Sequence, residues 1–264
     1  MIKAVFFDID GTLKGFNENE LNDNTMFMLE SLHQKGIKCF IATGRPPIQF
    51  KLLGERMNSF KWDGKVMLNG QYCVDENDEV FYKNPIKKET LEVLVPWLKE
   101  NMKSSCSFME LDYSYDLNFN ESMYNYLKSI GREKELPPID DPLRALNHDT
   151  YQICPYIDEK EDEEFLKHAP GMKSVRWSKD FADMIPVDGG KPIGIQKMLE
   201  HYHLSREETM AFGDGGNDIE MLKFAQIGVA MGNASDKVKV EADYVTDECE
   251  KDGIYNALKH FEIL

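Results

Sequence analysis

Short apolar runs alternate with stretches of helical period through the first ~80 positions, the pattern of a doubly wound parallel sheet. Ala4–Phe7 reads as a first strand and Lys38–Ala42 as a second. Between them Asn22–Lys35 predicts a helix, with Met26, Leu29, Leu32 and His33 on one face and Gly36 as its stop. Val66-Met67-Leu68 runs into Asn69-Gly70, a turn signal, followed by short strands through Tyr82. Over residues 83–186 the pattern changes: strand-like stretches (Cys106–Met109, Tyr151–Tyr156, Ser174–Trp177) mix with two amphipathic helical stretches and a Pro137-Pro138 loop. That mixture predicts an inserted α+β domain. From Val187 the alternation resumes, with a helix after Lys191, a strand Thr209–Phe212, a helix through Leu222, a strand Ile227–Ala230 and a last strand near Tyr244-Val245. The expected fold is α/β: a doubly wound parallel, Rossmann-like core over residues 1–82 and 187–264, interrupted by the α+β domain at 83–186, with a cleft between them.

Composition narrows the classes of function. A length of 264 residues suits one large or two modest domains. A hydrophobic content of 42% with 30% charged residues is that of a globular protein in water. No apolar stretch is long enough to span a bilayer and the N-terminus lacks a signal pattern, so a cytoplasmic protein is expected. The five cysteines are scattered without CxxC spacing, which argues against a disulfide framework and a zinc cluster. A formal charge of -16 disfavours nucleic acid and anionic membrane as partners, and no obligate protein partner is inferred. The acidic run Asp158–Glu164 reads as a solvated helix face.

Candidate chemistry sits where strands end or helices begin. Asp8 and Asp10 follow the first apolar run and enter a Gly11-Thr12 turn, projecting to the same side of an extended chain. Two close carboxylates repel unless one is protonated or a cation lies between them, so the pair suggests acid/base chemistry, a divalent metal site, or both. Thr43-Gly44-Arg45 follows the second strand and offers a hydroxyl and an amide to a phosphate. Lys191 opens a helix after Asp188-Gly189-Gly190, where a cation and free N–H groups favour an anion. Phe212-Gly213-Asp214-Gly215-Gly216-Asn217-Asp218 is an acidic glycine-rich loop after an apolar strand. Each segment alone also suits a plain turn, a solvated lysine or a helix cap. Their order and shared position at strand ends are what point to one site.

Electrostatics then says what such a site must contain. Asp8, Asp10, Asp214 and Asp218 converging on one pocket need compensation, and Lys191 brings one positive charge. A hard divalent cation with oxygen ligands, Mg²⁺ before Ca²⁺, brings the rest. A transition metal would want His or Cys, and neither lies in these segments.

The order DxDGT, TGR, Lys, GDGGND resembles the haloacid dehalogenase superfamily of aspartyl phosphotransferases, across essentially the whole chain. The insertion point and length resemble the α+β cap domain (type IIB) of the Cof-like sugar phosphatases. The resemblance implies that Asp8 is the nucleophile and forms an aspartyl-phosphate. Asp10 is implied as the acid that protonates the leaving alcohol and the base that activates water, with a pKa raised relative to its neighbour. Thr43, Gly44 and Lys191 are implied to bind the phosphoryl group, and Asn217 to contact phosphate or Lys191. Mg²⁺ is implied at Asp8, the backbone carbonyl of Asp10 and Asp214, with Asp218 supporting it from behind. Arg45 belongs to the TGR pattern without an assigned role, and no residue of the inserted domain receives one.

The expected function is a Mg²⁺-dependent phosphatase that hydrolyses a small phosphorylated metabolite, sugar phosphates foremost. The alternatives are a sugar phosphomutase or other phosphotransferase with the same aspartyl-phosphate step, and a phosphatase acting on cofactor phosphates such as flavin or pyridoxal phosphates. A third reading is a non-catalytic phosphate sensor on a retired enzyme fold, whose usual sequence sign is loss of Asp8 or Asp214; both are present.

Overall fold

The computed structural model describes residues 1–101, 103–129 and 138–264. Pro137 of the expected Pro-Pro loop lies outside the described residues. The first part of the chain carries β1 (Ala4–Phe7), α1 (Asp23–Gln34), β2 (Lys38–Ala42), the short helices α2 (Pro47–Lys51) and α3 (Glu55–Ser59), β3 (Gly64–Met67), β4 (Tyr72–Asp75) and β5 (Val80–Lys83). The middle carries α4 (Lys88–Asn101), β6 (Cys106–Met109), β7 (Ser114–Asp116), α5 (Glu121–Ser129), β8 (Gln152–Pro155), α6 (Asp162–Lys167), β9 (Met172–Val175) and β10 (Asp183–Pro186). The last part carries α7 (Lys191–Tyr202), β11 (Thr209–Gly213), α8 (Ile219–Phe224), β12 (Ile227–Ala230), α9 (Asp236–Lys239), β13 (Tyr244–Val245) and α10 (Gly253–His260).

The chain divides into two compact units: Met1–Arg45, Gln49–Lys83 and Gly190–Leu264 form the first, and Pro46–Ile48 with Asn84–Gly189 form the second. Among the described residues, the first unit holds an eight-stranded sheet in the order β13-β12-β11-β1-β2-β3-β4-β5. Neighbours from β13 to β3 pair in parallel, and β4 and β5 extend the sheet antiparallel. Residues of β1 and β11 are buried throughout, as strands covered by helices on both faces must be. On one face Phe6 stacks on Phe40 at 4.8 Å, over Ile195, Met198 and Leu199 of α7 and Met221 and Leu222 of α8. On the other, Phe7 stacks on Phe212 at 5.6 Å. Complete burial of several such rings, at about 1.5–3 kcal/mol each, is the main force holding this sheet.

In α1, Asn22 caps the start by accepting from the Thr25 amide at 2.8 Å. Leu29 and Leu32 are buried as the periodicity predicts, but the third buried residue is Met28 rather than Met26. The inward face is thus turned by a step, leaving Met26 half-buried and His33 at its rim, where Nε2 meets Asp63 at 3.1 Å.

The second unit is α+β. Its sheet runs β7-β6-β8-β10-β9, antiparallel throughout. One face packs Phe108, Tyr115, Ile153 and Met184 against Leu91, Leu94, Val95 and Leu98 of α4. Strand β9 lies two residues before the expected Ser174–Trp177, because its register is set by β10, with Pro186 opposite Met172. That register leaves Arg176 beyond the strand, where its guanidinium holds Asp162 through Nε at 2.8 Å and Nη2 at 2.5 Å. The acidic run is otherwise exposed, divided between a single 3₁₀ turn (Glu159–Glu161) and α6.

Candidate active site

Three adjacent strands of the first unit end at the same edge. Asp8 follows β1, Thr43 follows β2 and Asp214 follows β11, and the registers Phe7–Ile41 and Phe7–Phe212 place those ends side by side. The Asp8 amide continues the ladder by donating to Phe212 O at 3.0 Å, so its backbone is fixed by the sheet. Such an edge, at the carboxyl ends of parallel strands, is where open α/β sheets bind ligands.

Lys191, the first residue of α7, is fully buried and donates from Nζ to Asp8 Oδ1 at 2.6 Å and to Asp218 Oδ1 at 2.5 Å. The other oxygen of Asp218 accepts from the amides of Asp214 (3.0 Å) and Gly215 (2.9 Å). Asp218 thereby ties the glycine-rich loop to the lysine with both oxygens already engaged. Asp214 accepts from the Thr12 hydroxyl at 3.0 Å, while Asn233 Nδ2 lies 3.4 Å from its second oxygen and donates to Gly11 O at 2.8 Å. Gly11 has a φ of +84°, and a Cβ there would come 2.3 Å from Asp214 Oδ2, so the turn must be glycine for this carboxylate to lie where it does.

Asp10 is held apart from this cluster. Arg45 grips it with Nε at 2.7 Å to Oδ2 and Nη2 at 2.9 Å to Oδ1, and Lys14 Nζ adds a contact to Oδ1 at 2.6 Å. Thr43 accepts on its hydroxyl from the Arg45 amide at 3.2 Å, and its carbonyl accepts from the Asn69 amide at 3.0 Å. Gly44 is half-buried beside it. Asn217, expected at phosphate or at Lys191, donates from Nδ2 to Asn69 Oδ1 at 3.0 Å.

The charges titrate as this geometry dictates. Burial pushes Asp8 up to about 7, opposed by Lys191 and reinforced by the charges of Asp218 and Asp10. Burial, with Asp8 and Asp218 nearby, pushes Asp214 up to about 8. Burial favours the neutral form of Lys191, but Asp218 and Asp8 outweigh it and keep the ammonium charged. Burial would raise Asp10 as well, yet the Arg45 bidentate pair and Lys14 hold it at about 2. This reverses the expected order of the two aspartates. The expectation reckoned Lys191 as the cation of the site and left out the two that face Asp10.

Oxygens of Asp8, Asp214 and Asp218 lie within 4.8 Å of one another. Three carboxylates thus face one ammonium, an all-oxygen set with an excess of negative charge, which fits a hard divalent cation.

Sequence reasoning named Asp8, Asp10, Thr43, Gly44, Lys191, Asp214, Asn217 and Asp218, and missed Thr12, Lys14, Asn69 and Asn233. Thr12 could have been found as the hydroxyl of the DxDGT turn. Asn69 is marked in the sequence only as a turn residue, and Lys14 and Asn233 carry no signal, since each reaches its partner through a loop path or across the chain.

Residues 5–258 match the haloacid dehalogenase-like hydrolase family. The YkrA protein of Bacillus subtilis (strain 168) is 32% identical over 262 residues, 99% of this chain and 98% of that protein. The solved structure of the haloacid dehalogenase subclass IIB sugar phosphatase BT4131 superposes with a TM-score of 0.87 at 38% identity, over 99% of this chain and 100% of that one. The 5-amino-6-(5-phospho-D-ribitylamino)uracil phosphatase YitU of Bacillus subtilis (strain 168) is 26% identical over 267 residues, 97% of this chain and 96% of that protein. The chain belongs to the haloacid dehalogenase superfamily, in its Cof-like group, and is an enzyme of the phosphatase class.

Proposed function

We propose that this enzyme hydrolyses small phosphate monoesters, sugar phosphates foremost, through an aspartyl-phosphate on Asp8. The observation that carries the reading is the Asp8–Lys191–Asp218 chain beside Asp214, with a separately held carboxylate, Asp10, two residues from Asp8. Asp8 Oδ attacks phosphorus while the bond to the leaving oxygen breaks, and the protonated form of Asp10, a minority while Arg45 and Lys14 hold this carboxyl at about 2, gives that oxygen a proton. Asp10 then takes a proton from water, which attacks the phosphorus of the acyl phosphate, releasing phosphate and free Asp8. Lys191, Thr43 and Gly44 hold the phosphoryl oxygens, and the ammonium neutralises charge that develops there. Asn217 orders the Asn69 turn next to Thr43. Asp8, the Asp10 carbonyl and Asp214 would hold Mg²⁺, with Asp218 positioning the loop from behind. The cation supplies charge compensation to the carboxylates and to the phosphoryl group.

The sugar preference is supported by the likeness to BT4131. The similarity to YitU favours a second reading, a polyol phosphate borne on a heterocycle, which places cofactor-like phosphates among the substrates to be tried. A mutase would share the first step but return the phosphoryl group to a sugar. The five cysteines are free thiols, as suits a reducing compartment such as the cytoplasm. No helix among the described residues is long and apolar enough to cross a membrane.

Acid quench during turnover, followed by peptide mass spectrometry, tests the covalent step. A phosphoryl adduct is expected on the peptide containing Asp8 and none in Asp8→Asn. Full activity in Asp8→Asn without an adduct would overturn the mechanism.

A further inference from the structure

Lys14 has no place in the motifs, yet its side chain is only 2% exposed and its ammonium lies 2.6 Å from Asp10 Oδ1, with Gly15 O at 3.3 Å. Burying an ammonium is unfavourable, and a buried ion pair rarely repays its desolvation in stability alone. Nor is the side chain required to close the loop. The amides of Thr12, Leu13 and Lys14 all donate to Ile9 O, and the Gly11 amide donates to Lys14 O at 2.8 Å. This backbone turn brings residue 14 back beside residue 10 whatever the side chain. The carboxylate has a bidentate anchor in Arg45 already. The guanidinium reaches the carboxylate from another strand end, whereas Lys14 adds a third donor, on Oδ1, from the chain's own turn. Oδ2 then receives Arg45 Nε, and with the side chain 22% exposed Asp10 keeps an open side.

We infer that Lys14 is a positioning residue for Asp10, holding its carboxylate at the orientation from which it exchanges a proton with the leaving oxygen and with water. The inference rests on the reading of Asp10 as proton donor and acceptor. Lys14 itself is too buried to touch a substrate and acts through Asp10.

The test compares two substrates within one variant. Lys14→Met keeps the apolar stem and removes the ammonium. On a hexose phosphate, whose alkoxide must be protonated to leave, kcat is expected to fall by about tenfold or more with KM little changed. In single turnover of 4-nitrophenyl phosphate, whose leaving group departs without a proton, the nitrophenol burst rate is expected to change far less. Because the ratio is internal to each variant, partial loss of folded enzyme cancels; Lys14→Gln reads the same ratio if Lys14→Met does not fold. Adding Lys14→Met to Asp10→Asn is expected to cause no further loss on the hexose phosphate. Equal losses on both substrates, a gain on the hexose phosphate from an Asp10 freed of the ammonium, or a further loss in the double variant would overturn the inference. Failure of the underlying reading looks different, since Asp10→Asn alone would then lose no more on the hexose phosphate than on 4-nitrophenyl phosphate.

Discussion

At the scale of residues, the aspartates of this site live in opposite surroundings. Asp8 and Asp214 are buried near other carboxylates and pushed up to about 7 and about 8, whereas Asp10 lies between a guanidinium and an ammonium and is held at about 2. A carboxyl whose folded value exceeds its unfolded one binds extra protons in the folded state, so stability falls as pH rises through that window. For Asp8 and Asp214 the window runs from the ordinary 3.8 up to about 7 and about 8. Asp10 works the other way, contributing stability above 3.8 that is lost only as pH falls toward about 2. A divalent cation at Asp8 and Asp214 displaces their protons, so the stabilisation by Mg²⁺ is expected to grow between about pH 6 and about pH 8. Thermal midpoints with and without Mg²⁺ across that range check it, and a shift independent of pH would contradict it. Proton release on Mg²⁺ binding near neutral pH, read by calorimetry in buffers of different ionisation enthalpy, is the companion result.

At the scale of elements, the site depends on how loops hand residues to one another. Gly70, in the turn after β3, has a φ of +91°, and a Cβ there would meet Gly190 O at 2.1 Å, immediately before Lys191 opens α7. Gly70→Ala is therefore expected to lower stability by about 1–3 kcal/mol. Turnover should fall with it as α7 and its lysine shift. Denaturant midpoints and initial rates check this, and a neutral substitution would show that the turn and α7 adapt freely. The same elements show why some of the structure could be read from the chain and some could not. β1, β2, β11 and β12 are buried runs whose apolar composition marks them, and the motif residues fall at their ends. β9 is mostly half-buried, and its place is decided by register with β10 rather than by its own composition. The pairing of Asp10 with Arg45 and Lys14 was equally hidden, because it depends on the paths of two loops, where no period records which side chain returns to which.

At the scale of the molecule, the charged groups of the site all belong to the first unit, and the second, α+β unit is made of Asn84–Gly189, between β5 and α7, together with Pro46–Ile48. In an enzyme of net charge -16, the proposed attraction for a phosphate is local, assigned to Lys191, nearby amides and the proposed cation against the overall field. A chain in which residues 84–189 are replaced by a short flexible linker is expected to keep cation-dependent cleavage of 4-nitrophenyl phosphate while losing its order of preference among sugar phosphates. An unchanged order of preference would mean that the first unit alone selects the substrate. The central claim, a cation-dependent phosphatase with Asp8 as nucleophile, is tested most directly by initial rates of phosphate release. The panel spans hexose, pentose, triose, nucleotide, flavin and pyridoxal phosphates, each with Mg²⁺, with chelator, and with Asp8→Asn. Release that requires both Mg²⁺ and Asp8, strongest on sugar phosphates, is the expected result. Release that persists in Asp8→Asn or in chelator, or silence across the panel, would contradict it.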